Sequence, residues 1–248
     1  MHAATATYDL PLVVLSYAIS VFGAYTALQL AVAIPGAKGR ALWGWLIGAA
    51  VAMGGGAIWS MHFIAMLAYQ MPMQVRYDPT LTLASLAVAI VVTGTGLYVV
   101  GRGEPSAARL VGGGLFTGLG VGAMHYTGMA AMVMPATLSY RPSLFVLSLV
   151  IAVVASIAAL WLAFNLRGSW QMFGSAFVMG AAVCGMHYTG MAAAIITPTD
   201  QPGSPLEVQM GSGDLALSVA VITAMLLTIA LVVALRRSRR DRDLLYEA

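Results

Sequence analysis

Met124-His125-Tyr126-Thr127-Gly128-Met129 is the stretch that decides the fold, because it recurs twice more in the chain. The second copy is Met186–Met191, Met-His-Tyr-Thr-Gly-Met, and a diverged copy is Met61–Met66, Met-His-Phe-Ile-Ala-Met. Tyr77-Asp78-Pro79, which follows the diverged copy, is echoed by Tyr140-Arg141-Pro142. Self-similarity at a fixed spacing indicates a repeat architecture. We therefore expect three similar structural units.

The segments around these copies are apolar enough to cross a membrane. Of the 248 residues, 60% are hydrophobic and 8% are charged, whereas an ordinary soluble domain carries about a quarter charged residues. Seven uncharged apolar stretches reach the length of about 20 residues that a transmembrane helix needs. They are Leu10–Ile34, Ala41–Met71, Leu81–Val100, Leu110–Met134, Leu144–Leu166, Phe173–Ile196 and Leu215–Leu235. The second is too long for a straight span, and we expect it to start late, tilt, or bend near Gly54–Gly55–Gly56.

Two spans fall in each unit, so the three units have the same orientation in the membrane. We predict an all-α membrane protein of seven transmembrane helices within residues 1–235. Three tandem two-helix repeats, at about 10–72, 81–135 and 144–198, would be related by pseudo-threefold symmetry, with a seventh helix at 215–235. Residues 236–248 are expected to form a basic cytoplasmic juxtamembrane linker that leads to an output domain absent from this sequence.

Basic residues predict the orientation of the spans. Five of the twelve lie in the tail, at Arg236, Arg237, Arg239, Arg240 and Arg242. With the tail inside, Lys38, Arg40, Arg102, Arg109 and Arg167 also fall inside, and Arg76 and Arg141 fall outside. The positive-inside rule then places the N-terminus outside and the C-terminus inside. A basic cluster directly after a span is typical of a membrane anchor and argues against nucleic-acid binding. Asp78, Asp200, Glu207 and Asp214 would lie on the outer face.

Helical geometry places each histidine in one stripe with the methionine four residues later. These stripes are Gly55/Trp59/His62/Met66, Gly118/Gly122/His125/Met129 and Gly180/Cys184/His187/Met191. The histidines precede the prolines that end their segments by roughly 15 Å of helix, which puts all three at one depth in the outer half of the membrane. Imidazole with thioether suits copper. The absence of carboxylates from the spans argues against magnesium, calcium and manganese. Zinc on three histidines is compatible with the pattern, but it would leave the methionines unexplained.

Other functions compatible with the pattern are copper storage or transfer, a bis-histidine haem b, and a purely structural anchor. Additional methionines at Met71, Met73, Met132 and Met134 suit copper transfer. Two of the histidines could be axial ligands of haem, although three equivalent histidines fit that role awkwardly. The only lysine, Lys38, lies in a loop, which excludes a retinal Schiff base, and spans without acidic residues argue against a proton pump.

At these residues the chain resembles the MHYT family of bacterial membrane sensor domains, which is named for Met-His-Tyr-Thr. Two copies match to the letter, and the copy at Met61–Ile64 matches at Met-His. The resemblance implies a multi-pass sensor of the bacterial inner membrane that is not itself an enzyme. It implies that copper is bound and that a diatomic gas, oxygen, carbon monoxide or nitric oxide, is sensed. A cytoplasmic output domain, for example for cyclic-di-GMP turnover, would receive the signal.

The ligands that the resemblance implies are three histidines and six methionines. They are His62, His125, His187, Met61, Met66, Met124, Met129, Met186 and Met191. The expected partners are the lipid bilayer, a diatomic gas and the output domain, and a homodimer is left open.

Overall fold

The computed structural model describes residues 7–166, 168–199 and 209–246. Seven helices in this part of the chain are long and apolar enough to cross a membrane. They are α1 (Leu10–Ala31), α2 (Gly39–Ala68), α3 (Pro79–Gly101), α4 (Ala107–Ala130), α5 (Pro142–Asn165), α6 (Ser169–Ala193) and α7 (Ser212–Tyr246). The predicted all-α, seven-helix membrane fold is confirmed. Of the residues used to assign the sides of the membrane, Arg167, Asp200 and Glu207 lie outside the described residues, as do residues 247–248 of the predicted linker.

The middle of α2 departs from α-helical geometry. Val51–Trp59 is π-helical, and α-helical segments lie on both sides of it. This segment contains Gly54–Gly55–Gly56, where the sequence predicts an irregularity. π-helical segments are rare and occur frequently at functional sites. Here the segment ends three residues before His62.

Six helices form a ring, and the seventh lies outside it. Following the chain, α1 contacts α2, α2 contacts α3, and so on to α6, which closes the ring against α1. The even-numbered helices carry the three histidines, and odd-numbered helices separate them. α7 packs on the outside of the ring against α1 and α2. This order is the one that three consecutive two-helix units around a common axis would produce.

Three short antiparallel ladders close the units at one end of the ring. β1 (Thr7–Tyr8) pairs with β2 (Tyr69–Gln70), β3 (Arg76–Tyr77) with β4 (Met132–Val133), and β5 (Ala136–Tyr140) with β6 (Ala194–Pro198). Each ladder joins the strand before an odd helix to the strand after the next even helix. The backbone N–H that follows each tyrosine donates to a carbonyl at the end of that even helix. The distances are 2.9 Å for Asp9 to Ala68, 2.8 Å for Asp78 to Ala131 and 2.8 Å for Arg141 to Ala193.

The ladders reveal a copy of the inter-repeat motif that the sequence reading missed. Tyr8-Asp9 occupies the place of Tyr77-Asp78 and Tyr140-Arg141, but Leu10 separates it from Pro11. Asp9 accepts a hydrogen bond from Leu12 N at 3.2 Å, as Asp78 accepts one from Thr80 N at 2.7 Å. Both carboxylates thus cap the first turn of the following helix.

Alanine at Gly118 should destabilise the bundle, whereas alanine at Gly112 on the same helix should not. A Cβ on Gly118 would lie 2.7 Å from Val153 N and 2.8 Å from Ala152 O of α5, and no atom lies within 4 Å of a Cβ on Gly112. Because the obstacle is backbone, α4 and α5 must separate, at a cost of about 1–3 kcal/mol. Thermal unfolding of both variants in one detergent measures the difference. Equal transition temperatures would contradict this packing.

Candidate metal centre

Three imidazoles meet inside the ring, one from each even helix. His62, His125 and His187 are at most 1% exposed. Nδ1 of His62 lies 3.0 Å from Nδ1 of His187 and 3.1 Å from Nδ1 of His125. The ring centroids are 4.9 to 5.1 Å apart, and the ring planes are close to perpendicular to one another. The three copies of the motif therefore build one centre instead of three.

The small residue three positions after each histidine makes this approach sterically feasible. A Cβ on Gly128 would collide with Nε2 of His62, and a Cβ on Gly190 would collide with Nε2 of His125. Each of these imidazoles thus lies directly over the backbone of the next even helix. The corresponding residue of the first unit is Ala65, which is fully buried. The motif has glycine at the two positions where the imidazole of a neighbouring helix lies against the backbone and leaves no space for a Cβ.

The donor set fits a single metal ion. A neutral imidazole has one N–H and one lone pair, so three Nδ1 atoms that face one another cannot all be satisfied by mutual hydrogen bonds. Three lone pairs directed at one cation satisfy all of them. Three nitrogens at about 2.0 Å from an ion lie about 3.4 Å apart. Nδ1 of His62 would have to separate from Nδ1 of His125 and of His187 by only a few tenths of an ångström to reach that distance.

The outer nitrogens of the imidazoles differ from those of most histidine ligands. Nε2 of His62, His125 and His187 has no hydrogen-bond partner among the described residues. Metal-bound histidines usually donate their second N–H to a carboxylate, carbonyl or water, which fixes the ring. Here, packing of His62 and His125 against the glycine backbones takes over that positioning role.

The methionines of the motif are buried with the histidines. Met61, Met66, Met124, Met129, Met186 and Met191 are each between 0 and 3% exposed. The three histidines are the group whose ligand atoms, all within 4.8 Å of one another, could hold an ion. The thioethers remain predicted ligands.

The tyrosine of the motif links two of the even helices, α4 and α6, to the odd helix that follows each of them around the ring. The hydroxyl of Tyr126 lies 2.7 Å from Ser148 Oγ of α5, and the hydroxyl of Tyr188 lies 3.5 Å from Ser16 Oγ of α1. Both serines are fully buried. Buried hydroxyls need such partners, so these tyrosines hold the ring closed around the histidines.

The diverged first copy keeps this link with a different donor. Phe63 stands at the tyrosine position, and Trp59, one turn earlier, donates its indole N–H to Ser85 Oγ at 3.0 Å. Ser85 of α3 is the counterpart of Ser16 and Ser148. The tryptophan thus compensates for the missing hydroxyl, which a comparison of the motif letters alone does not reveal.

Tyrosines of the ladders cover the centre from the strand side. Tyr8, Tyr77 and Tyr140 pack against the aromatic residue of a motif, with ring centroids 5.6, 6.5 and 5.0 Å from those of Tyr188, Phe63 and Tyr126. Burial raises the pKa of each of these three ladder tyrosines to about 12. An uncharged aromatic cover therefore separates the histidines from this face of the protein.

The family profile described as MHYT, bacterial signalling protein N-terminal repeat, matches the chain three times, at residues 55–113, 118–176 and 180–246. Each match starts in an even helix and continues through the following odd helix, so the third includes α7. In the ring, however, the helix that packs beside α6 is α1, and not α7, which follows α6 in the sequence. α7 therefore has the sequence position of a repeat helix but packs outside the ring.

Three curated relatives are signalling proteins. The bifunctional diguanylate cyclase/cyclic di-GMP phosphodiesterase MucR of Pseudomonas aeruginosa is 45% identical over 95% of this chain and 35% of its own length. The cyclic di-GMP phosphodiesterase NbdA of the same organism is 34% identical over 96% of this chain and 31% of its own. The signaling protein YkoW of Bacillus subtilis is 36% identical over 82% and 26%. The chain thus spans between about a quarter and about a third of these relatives' length. No solved structure matches it.

Phenylalanine at Tyr77 should make the protein more resistant to alkali. Burial raises the pKa of Tyr77 to about 12 in the folded state, from about 10 in the unfolded chain. The protonated side chain therefore contributes fully to the free energy of unfolding below pH 10. This contribution is lost as the pH rises towards 12, which lowers the free energy of unfolding by up to about 2–3 kcal/mol. The midpoint of alkaline unfolding, followed by circular dichroism, should rise in Tyr77→Phe. The exposed Tyr98, at the opposite end of α3, provides the control Tyr98→Phe, and an equal rise in both variants would contradict the assignment.

Proposed function

Since this chain belongs to the MHYT family of bacterial signalling proteins, we propose that it is the membrane sensor of such a protein and that its ligand is copper. The observation that carries the proposal is the buried contact of Nδ1 of His62 with Nδ1 of both His125 and His187, in a group whose ligand atoms all lie within 4.8 Å of one another. Buried imidazoles inside a membrane are energetically costly and usually functional. A bound cation gives all three a partner.

Copper fits the surroundings of the centre better than the alternatives. The six methionines of the motif supply soft sulfur, which selects Cu(I), and imidazole accepts both oxidation states. A haem b would need a porphyrin between two axial histidines, whereas these imidazoles contact one another directly. Copper in this site would supply a redox-active centre with affinity for diatomic gases, and oxygen, carbon monoxide or nitric oxide are the proposed stimuli.

The role of the protein is to hold the three histidines and to exclude water. The ladder tyrosines cover the centre, and the motif tyrosines and Trp59 hold the even helices against the odd ones. A movement of the three imidazoles would therefore be passed to the even helices that carry them while the centre stays covered.

The path to the cytoplasm runs through the first unit. Thr223 of α7 donates a hydrogen bond of 2.7 Å to Ser60 Oγ of α2, two residues before His62, and Ser60 donates to Gly55 O at 2.8 Å. A Cβ on Gly55 would lie 2.5 Å from Leu226 Cδ1 of α7. α7 is thus fitted against the π-helical segment and the histidine-bearing turn of α2. From there it continues without a break as a helix to Tyr246.

We place the domain in the bacterial inner membrane, with the N-terminus outside and the basic end of α7 inside. Relatives whose names specify cyclic-di-GMP synthesis or breakdown extend well beyond the region matched here. An output module of that kind, joined through 236–248, is the proposed recipient of the signal. The sensor region itself has no proposed enzymatic role.

Protein purified without added metal should contain copper and show no Soret band. His125→Ala should abolish copper binding. Met66→Leu, Met129→Leu and Met191→Leu keep volume and apolarity, so a packing role predicts little change. A ligand role predicts Cu(I) affinity lowered by at least about tenfold in a folded protein. Competition with a Cu(I) chelator measures the affinities. Unchanged Cu(I) affinity in all three variants would show that these thioethers are not ligands. A stoichiometric haem that is lost in His125→Ala would show that the cofactor is haem and not copper.

Valine at Thr223 should uncouple α7 from the centre. The variant loses the hydrogen bond to Ser60, worth about 1 kcal/mol, without touching a proposed ligand. A dye attached at Ser238→Cys in a Cys184→Ala background reports on the end of α7. The copper-dependent change of its fluorescence should fall by half or more, at unchanged copper affinity. Thr95→Val, which removes an exposed hydroxyl bonded within its own helix, is the control. Equal signals in both variants would exclude this path.

A further inference from the structure

A second feature lies on the same axis as the histidines, inside the ring. A cavity of about 60 Å³ is lined by side chains from α2, α3, α4, α5 and α6. Ile58, Val121 and Val183 belong to its wall, and each precedes a histidine of the centre by four residues. Four residues correspond to about 6 Å of helix. The cavity therefore begins one helical turn below the three imidazoles.

Met186 connects the two features. It lines the cavity and is the residue directly before His187. Its side chain is 2% exposed, as part of the same buried core. Whatever occupies the cavity can thus touch a side chain of the motif.

The wall selects an apolar occupant. Most of its side chains are aliphatic, and three carry hydroxyls: Thr93 donates to Ala89 O at 2.7 Å, Thr117 donates to Val92 O at 3.3 Å, and Ser156 is the third. Buried water needs two to four polar partners, and apolar cavities stay dry. Since one water-sized sphere takes about 10–15 Å³ on this measure, the volume suits a molecule of a few atoms. It excludes haem, a quinone ring or a lipid chain.

The side of the cavity between α5 and α6 consists of small residues. Ala155 and Ala159 of α5 and Ala182 of α6 line the cavity and are only half-buried. Their outward neighbours Ala158 and Ala181 are exposed on the surface that faces the bilayer. Small apolar gases dissolve better in hydrocarbon than in water. The alanines on this side therefore offer the least steric obstruction to a small molecule that enters from the bilayer.

We propose that this cavity is a binding site for one small apolar molecule of the size of dioxygen, which enters from the bilayer between α5 and α6 and rests against Met186. Binding at this site requires no metal. The further step, in which a gas molecule passes from this cavity to the three histidines, rests on the proposed function.

Xenon is a suitable probe because it is apolar, small and visible by anomalous scattering. Crystals of the metal-free protein pressurised with xenon should show a peak bounded by Ala152, Met179 and Met186. Ala182→Leu and Ala159→Leu fill the cavity and should abolish the peak. Ala181→Leu and Ala158→Leu add the same side chain on the lipid-facing surface of the same helices, and should keep it. Two independent pairs ensure that one misfolded variant does not decide the test.

Three results would overturn the proposal: no xenon peak in the unsubstituted protein, ordered water in the cavity, or a peak that survives both filling substitutions. A xenon peak in protein that binds no copper would support the cavity and contradict the proposed metal centre. Copper binding without a xenon peak would support the proposed metal centre and contradict the cavity. With copper bound, Ala182→Leu should in addition slow the spectral response to oxygen by tenfold or more relative to Ala181→Leu.

Discussion

Contact among three buried imidazoles is the interaction on which the rest of this structure depends. Nδ1 of His62 lies 3.0 and 3.1 Å from Nδ1 of His187 and His125 in a fully buried site, where one bound cation would satisfy all three nitrogens. The glycines at Gly128 and Gly190 exist at the points where a neighbouring imidazole crosses the helix backbone. Three features hold the even helices close enough for the imidazoles to touch. They are the hydroxyls of the motif tyrosines, the three strand ladders and the tyrosines of those ladders. Each copy of the motif thus contributes one of the three imidazoles of a single cluster.

The centre is nearly symmetric, but its surroundings are not. Among the ring helices, α7 packs mainly against α1 and α2, and the first unit is also the one that diverges. There Phe63 replaces tyrosine, Trp59 takes over the hydrogen bond, and α2 is π-helical over its glycines. The π-helical segment is wider than an α-helix, and its glycines leave room for leucines of α7: Gly55 faces Leu226 and Gly56 faces Leu227. The first copy thus diverges in the unit that carries the additional contact to α7.

The sequence predicts the seven helices, the repeat and the common depth of the histidines, because each depends on apolar run length or on spacing along one helix. Three features depend on which helices are neighbours, and spacing does not contain that information. These are the direct contact of His62 with His125 and His187, the replacement of the tyrosine hydroxyl by Trp59, and the position of α7 outside the ring. The Tyr8-Asp9 copy was missed for a simpler reason, since Leu10 stands where the other two copies have proline. The methionines were assigned as ligands from their chemistry, and their burial agrees equally with packing.

The number of copper ions per chain, measured together with the X-ray absorption spectrum of the Cu(I)-loaded protein, tests the central claim most directly. A single centre shared by three repeats predicts one copper per chain, with three nitrogen atoms in its first coordination shell and any sulfur in addition to them. Three copper ions per chain, each with one nitrogen and with sulfur from its own helix, would show that the repeats bind metal separately. That result would contradict the account, as would a protein that binds no copper while its histidines remain in contact.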